Sequence, residues 1–213
     1  MEWQLDAVDL EPVRQWLSRA DTNDCLAVHR LRTQRLFDTY LDTADWRIYR
    51  GGYAMRIRRG ARRPQATLKS LHSAQADVAD RLELNEPLKT ATIAAVQQAC
   101  GPVASQIRML TGTGSLRALF EVRTTRQRFA LRRSPTGSAL GQVALDDTQI
   151  CASQGAACTR LRRVEIEALT SEHAVLREFV AVLQRACALQ PASDTKFSAG
   201  LQVAGLQPPP IAS

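Results

Sequence analysis

No apolar run in this chain approaches the roughly 20 residues that a membrane-spanning helix needs, which excludes the usual transmembrane architecture. Its first twenty residues are amphipathic and carry acids, so they do not read as a secretory signal, and a cytosolic protein is expected. Histidine is scarce: His29, His72 and His173 stand far apart, none with a second ligand at helical spacing. Cysteine is odd in number and scattered, at Cys25, Cys100, Cys151, Cys158 and Cys187, without metal-ligand spacing. All five are expected to be packing residues or free thiols. Aromatic residues make up only 5% of the chain. No recognisable nucleic-acid motif accompanies them, so nucleic acid is a weak expectation despite the basic charge.

What the chain has in excess is arginine. The formal net charge is +7 over 213 residues, and Arg far outnumbers Lys. Such a balance points to an anionic partner. The length suits a single domain, expected over residues 1–206, with 207–213 as a tail without fixed structure.

The pattern along the chain is mostly that of strands. In Tyr53 to Arg59, alternation puts Ala54, Arg56 and Arg58 on one face and Tyr53, Met55 and Ile57 on the other. Gln65 to Ser70 follows the same rule, with Gln65, Thr67 and Lys69 opposite Ala66 and Leu68. Gly60 to Pro64 is the turn between them, and its Arg59 and Arg62-Arg63 cluster reads as surface charge. Further strands are expected over Glu2 to Ala7, within His29 to Leu41, and over Val78 to Leu84, Leu116 to Arg133, Ala139 to Leu145 and Arg160 to Leu169. Asp146-Asp147 is expected to interrupt the chain before a short strand to Ala152. Helices are expected from an Asp9 cap to Ala20, as a turn over Ala44 to Arg50, over Lys89 to Cys100 and Val103 to Leu110, and from a Ser171 cap to Ala188. About eight strands joined by short turns favour an α+β fold, an eight-stranded antiparallel β-barrel with helices packed outside.

Several strands share one oddity: one face is apolar and the other carries charge of a fixed type. Arg56, Arg58, Lys69, Arg81, Arg126 and Arg128 supply cations, while Glu2, Glu83, Asp146, Glu165 and Glu167 supply anions. On any one strand, a solvated face explains this. If the apolar faces instead pack on outer helices, the charges line a wet lumen built for a charged ligand, because a dry interior does not tolerate so many. Guanidinium forks and a lysine suit a chain of phosphates. Carboxylates among them suit a hard divalent cation, Mg²⁺ or Mn²⁺.

These segments, together with Phe37-Asp38-Thr39, Leu41-Asp42-Thr43 and Ile48-Tyr49-Arg50, resemble the CYTH domain, the superfamily of triphosphate tunnel metalloenzymes. Ala54 to Arg58 looks like that family's basic strand and Thr67-Leu68-Lys69 its lysine strand. Arg81-Leu82-Glu83 is similar to the following Arg-x-Glu strand, and Thr125-Arg126 to the later basic one. Val143 to Asp147 resembles an acidic turn, Val164 to Glu167 a paired-glutamate strand, and Lys196 a terminal lysine element. The resemblance implies a divalent-metal-dependent hydrolase of inorganic triphosphate or short polyphosphate. Glu2, Lys69 and Arg81 would be catalytic. Arg56, Arg58, Lys69, Arg81, Arg126, Arg128 and Lys196 would bind phosphate, and Glu2, Glu83, Asp146, Glu165 and Glu167 would hold the metal. It leaves open a homodimer and, as an alternative, a catalytically impaired module that binds polyphosphate or nucleotide.

The start departs from the family, which opens Glu-x-Glu-x-Lys. Here the alternate residues are Glu2, Gln4 and Asp6. In one register Gln4 replaces the second Glu and Asp6 the lysine. In the other, which is preferred because the family's lysine is typically followed by an apolar residue as Gln4 is by Leu5, Gln4 replaces the lysine and the first Glu would precede Met1. Either way an acid and the lysine are missing, so anion binding is expected more firmly than turnover.

Overall fold

The computed structural model describes residues 1–19, 26–60, 62–71, 82–152 and 157–211. The strands are β1 (Glu2–Asp6), β2 (Ala27–Arg30), β3 (Gln34–Thr43), β4 (Tyr53–Arg59), β5 (Gln65–Ser70), β6 (Glu83–Pro87), β7 (Leu116–Arg132), β8 (Ala139–Ala152), β9 (Cys158–Ala168) and β10 (Gln190–Pro191). The helices are α1 (Glu11–Ser18), α2 (Arg47–Arg50), α3 (Ile93–Gln98), α4 (Pro102–Thr111), α5 (His173–Cys187) and α6 (Lys196–Val203). The fold is α+β, as the strand pattern implies.

One antiparallel sheet runs β10-β1-β9-β8-β7-β3-β4-β5-β6, with β2 on β7 beyond the start of β3. It therefore has ten strands rather than eight, and among the described residues no ladder closes β6 onto the far edge. The sheet is curved enough that side chains on β5 and β1 still meet, as shown below.

Alternation sorts the sheet into two faces. Met55, Ile57, Ala66 and Leu68 point outward and pack with Val96, Val103 and Ile107 of α3 and α4. Val143, Leu145, Val164 and Ile166 pack outward on Val13, Leu17, Leu176, Phe179 and Leu183 of α1 and α5. These two outer layers supply the burial that makes the strands stable, at about 25 cal/mol per Å² of apolar surface removed from water. The inner face is left to the polar residues.

Helix α6 is the exception, because it packs on the inner face. Phe197, Ala199 and Leu201 meet Tyr40, Leu119, Phe120 and Ile150. Gly200 lets it sit this low: a Cβ there would stand 2.1 Å from a ring carbon of Phe120. The sequence reading ended the last helix at Ala188 and missed α6. Its signal was present in Thr195 and Ser198, which form a reciprocal capping box.

Other boundaries differ. The strand expected over Val78 to Leu84 is Glu83–Pro87, with residues 78–81 outside the described part. Here Glu86 sits below the sheet and accepts from the backbone N–H of Gly101 and Ala104, which fixes the start of α4. Asp146-Asp147 is no interruption: β8 runs through it, paired with β7 and β9 along its length. Helix α1 is capped at Leu10 rather than Asp9, whose carboxylate accepts from Glu11 N instead. Ser171 does not cap α5; Glu172 holds the N-cap position, with no side-chain bond. The cysteine expectation also fails in part. Cys151 and Cys158 are directly opposed across the β8–β9 ladder, Cα atoms 4.2 Å apart, and form a disulfide. Cys100 and Cys187 are free thiols, and Cys25 lies outside the described residues.

Candidate functional site

Charged side chains from six separate strands and from α6 converge on the inner face of the sheet, around a cavity of about 220 Å³. Its wall includes Glu2 and Gln4 of β1, Arg56 and Arg58 of β4, Lys69 of β5, Glu83 of β6, Arg126 of β7, Arg163, Glu165 and Glu167 of β9, and Lys196 of α6. The convergence follows from register. Arg58 stands opposite Asp38, Lys69 opposite Glu83, Arg126 opposite Asp146 and Gln4 opposite Glu165.

Three ion-pair groups organise the wall. In the first, Arg58 donates from Nε and Nη2 to the two oxygens of Asp38, both at 2.7 Å. Asp38 is buried, and burial opposes its charge, but Arg58 and then Arg56 hold its carboxyl below the ordinary value. Arg56 is less well served. Among the described residues its nearest carboxylate oxygen is on Asp38 at 3.7 Å, and its buried Nε has no hydrogen-bond partner. Burial pushes its guanidinium down, but Asp38, Tyr40 and Glu83 outweigh this and hold it above its ordinary value.

The second group lies deeper. Arg126 donates to both oxygens of Asp146, at 2.7 and 2.6 Å, and to Glu165. Lys196 Nζ donates to Asp146 and, at 2.9 Å, to Glu165. A buried lysine and a half-buried arginine thus share a fully buried and a half-buried acid. Burial opposes the charge on Glu165, yet Lys196 and Arg126 hold its carboxyl well below the usual range. Lys196 is held up in turn by Glu165 and Asp146 against the pull of burial.

The third group is the most open. Lys69 Nζ lies 3.4 Å from Glu83 and 3.8 Å from Glu2. Burial raises the Glu83 carboxyl, but Lys69 and Arg56 bring it below its ordinary value. Glu2 also accepts from Gln4 Nε2 at 2.9 Å.

Almost all the residues expected from sequence are therefore on or just behind one wall. Arg128 bonds Gln142, which lines the cavity, at 2.7 Å. Asp146 sits behind Arg126 with no exposure. Arg81 lies outside the described residues. The five expected metal ligands are not brought together: among the described residues no three acids, histidines or cysteines are placed to hold an ion. The reason is visible, since Asp146 and Glu165 are spent on Arg126 and Lys196, and Glu83 on Lys69. Glu2 and Glu167 are directly opposed across β1 and β9 at the cavity wall.

Two further pairs escaped the sequence reading. Asp38 entered only as part of a pattern; it could have been singled out as an acid in alternation with Tyr40. Arg163 is 1% exposed, and its Nε and Nη2 donate to Asp6 at 3.0 and 2.8 Å. Asp6 thus stands over a buried cation from the neighbouring strand.

The family model described as the CYTH domain matches residues 17–199. The chain belongs to the CYTH family. Among solved structures, this CYTH domain is similar to a Hippeastrum protein, HpAC1, described as a candidate adenylyl cyclase with a dominant triphosphatase activity. The TM-score is 0.67 and the identity 16%, covering 97% of this chain and 96% of that one. A Bacillus halodurans protein described as a candidate adenylate cyclase aligns with TM-score 0.61 and 20% identity, over 93% and 95% of the two chains. The PH1819 protein of Pyrococcus horikoshii gives TM-score 0.55 and 16% identity, over 95% and 99%. At these identities the likeness is one of fold, and it is the CYTH tunnel fold. No curated protein matches the chain. Among the described residues no helix is long and apolar enough to cross a membrane.

Proposed function

We propose that this CYTH domain hydrolyses the terminal anhydride of inorganic triphosphate or a short polyphosphate, in the cytoplasm and with a divalent cation. The observation that carries the proposal is Arg56. It is a largely buried guanidinium with, among the described residues, an unpartnered Nε and one distant ion pair, facing a cavity that five other cations enter, from β4, β5, β7, β9 and α6. A phosphate oxygen there would supply the missing acceptor, and buried donors are costly to leave unmade.

Arg56, Arg58, Lys69 and Arg126 would hold the phosphate chain, with Arg128, Lys196 and Arg81 as the remaining candidates from sequence. Among the described residues, the cations Arg56, Arg58, Lys69, Arg126, Arg128, Arg163 and Lys196 are matched in number by Glu2, Asp6, Asp38, Glu83, Asp146, Glu165 and Glu167. A polyanion entering this balanced wall would leave excess negative charge unless a cation came with it. Mg²⁺ is commonly held by one or two carboxylates plus substrate phosphates. The opposed Glu2 and Glu167 fit that donor set, whereas a cage made only of protein ligands does not fit. Bound there, Mg²⁺ or Mn²⁺ would neutralise charge developing on the phosphate oxygens. Glu2, held by Gln4 and near Lys69, would orient the attacking water. The water oxygen bonds to the terminal phosphorus, the bridging P–O bond breaks, orthophosphate and diphosphate leave, and the proton passes to solvent.

The test is release of orthophosphate from triphosphate with Mg²⁺ or Mn²⁺ present. Release that Arg56→Gln abolishes would support the assignment, and a rate no higher than the buffer blank would reject it. A second reading has its own observation. The deepest acids, Asp146 and Glu165, are locked by cations, and Gln4 faces Glu165 without charge. Tight calorimetric binding of triphosphate without turnover would select a binding module instead.

A further inference from the structure

Tyr40 of β3 shares the cavity wall with the charged side chains, yet the phosphate-binding reading gives it no part. Alternation puts it on the face of Asp38. Across the β3–β4 ladder Asp38 stands opposite Arg58 and Tyr40 opposite Arg56, one to one. Arg58 takes both oxygens of Asp38. Arg56 keeps the 3.7 Å contact with Asp38 and has Tyr40 beside it. Burial opposes the Arg56 charge; Asp38 and then Tyr40 support it, Tyr40 also through a side-chain hydrogen bond. Arginine only donates, so the phenol oxygen is the acceptor.

The ring that carries this oxygen is held firmly. Tyr40 is 6% exposed, stacks on Phe120 at 4.7 Å and meets Phe197 of α6 at 5.7 Å. Phe197 follows Lys196, so consecutive residues of α6 seat Tyr40 and close the Asp146 and Glu165 group. The β3–β7 ladder slips immediately after Tyr40, which pairs with Phe120 while Leu41 pairs with Ala118. A bulge of this kind re-aims the side chains beside it. The stack uses the faces of the ring and makes no use of the hydroxyl. A buried tyrosine hydroxyl normally has a polar partner, and here Arg56 is that partner.

We infer that Tyr40 is a positioning residue for Arg56: its hydroxyl fixes the guanidinium in the orientation that leaves Nε as the donor for a phosphate oxygen. The inference rests on the phosphate-binding reading of the cavity. A carboxylate in the same place would pair with Arg56 as Asp38 does with Arg58, and would compete with the ligand for it. A neutral phenol oxygen orients the fork without adding a negative charge for the phosphate to meet. The rigid ring means that the orientation is set before the ligand arrives, which removes part of the ordering cost of binding.

The experiment is a double-mutant cycle on the full chain, with Tyr40→Phe, Arg56→Gln and the two together. Triphosphate binding is followed by calorimetry and the Arg56 Nε–H signal by NMR. Tyr40→Phe keeps the ring and its stack, so the variant is expected to fold, and a cooperative unfolding transition checks this. The expected result is that Tyr40→Phe weakens triphosphate binding by about tenfold when Arg56 is present and changes it by less than about twofold when Arg56 is Gln. The Arg56 Nε–H signal should move or broaden in Tyr40→Phe. Native affinity in Tyr40→Phe would overturn the inference. So would an equal loss in both backgrounds, which would mean that the hydroxyl does not act through Arg56. Should triphosphate not bind the native chain, the phosphate reading falls. There, or where the loss of Arg56 makes binding too weak to measure, the Nε–H signal decides: a change in Tyr40→Phe supports the positioning role and an unchanged signal overturns it.

Discussion

Lys69 Nζ lies 3.8 Å from a carboxylate oxygen of Glu2, although β5 and β1 share no ladder. The sheet therefore curls far enough for its two flanks to face each other across the cavity. Both side chains keep about a quarter of their surface exposed, so the pair adds little to stability, about 0–1 kcal/mol. Lys69→Met should leave the thermal midpoint nearly unchanged. It should weaken triphosphate binding by about 10- to 100-fold, the worth of one charge-assisted contact. Unaltered affinity in a calorimetric titration would remove Lys69 from the phosphate site.

Lys196 should behave in the opposite way. It is buried between Asp146, which has no exposure, and Glu165. Lys196→Met leaves those carboxylates with Arg126 alone. Removing one partner of a buried ion pair costs about 3–5 kcal/mol, and in a chain of this size each kcal/mol lowers the midpoint by about 2–4 °C. Denaturant unfolding reads this directly, and a loss below about 1 kcal/mol would mean that the network is not held as described.

These two lysines show what could be read before any coordinates. The chain has three lysines, and two of them reach the cavity. Period-two alternation placed Arg56, Arg58, Lys69, Arg126, Glu165 and Glu167 on inner faces, because an inner charge and an outer apolar residue leave a local signature. Pairing between distant strands leaves none. Nothing local to Asp38 says that Arg58 will stand opposite, and nothing near Asp6 names Arg163. Helix α6 was lost because its apolar stripe is short and its burial comes from Phe120 and Tyr40, far away in sequence. The Cys151–Cys158 pairing depends on β8 and β9 being in register, which the expected break at Asp146-Asp147 had hidden.

The buried carboxylates set an acid limit on stability. Glu165 and Asp38 are held below their ordinary values of 4.5 and 3.8. The unfolded chain then takes up protons before the folded one does. The stability that these groups contribute is complete above the ordinary values and is lost as pH falls through them toward the folded ones. Asp42 works the other way. Burial raises its carboxyl despite N–H donors from Ile48, Tyr49 and Thr43, so its contribution is present at low pH and lost as pH rises above 3.8. Glu83, Asp45 and Asp147 are held down as well, so five carboxyls stand against one and the unfolding free energy should fall from about pH 5 downward. Glu165→Gln should flatten that slope, whatever it does to stability at neutral pH. An acid slope identical to the native one would show that Glu165 is not titrating in this way.

Gly200 couples packing to the site. It lies on α6 one turn beyond Lys196, and a Cβ there would stand within 2.1–2.5 Å of three ring carbons of Phe120. Phe120 has little room to yield, since it has no exposure and stacks on Tyr40 at 4.7 Å. Gly200→Ala is a small change that favours helix locally, by about 1 kcal/mol on propensity alone. Overpacking a tight core, however, costs about 1–3 kcal/mol. The net expectation is a loss of stability together with a shift of α6 away from the sheet. That shift would draw Lys196 from Asp146 and Glu165, so triphosphate binding should weaken although no cavity-lining charge has been replaced. Stability and affinity falling together in Gly200→Ala is the expected outcome. A variant as stable as the native chain, with native affinity, would show that α6 is not seated against Phe120.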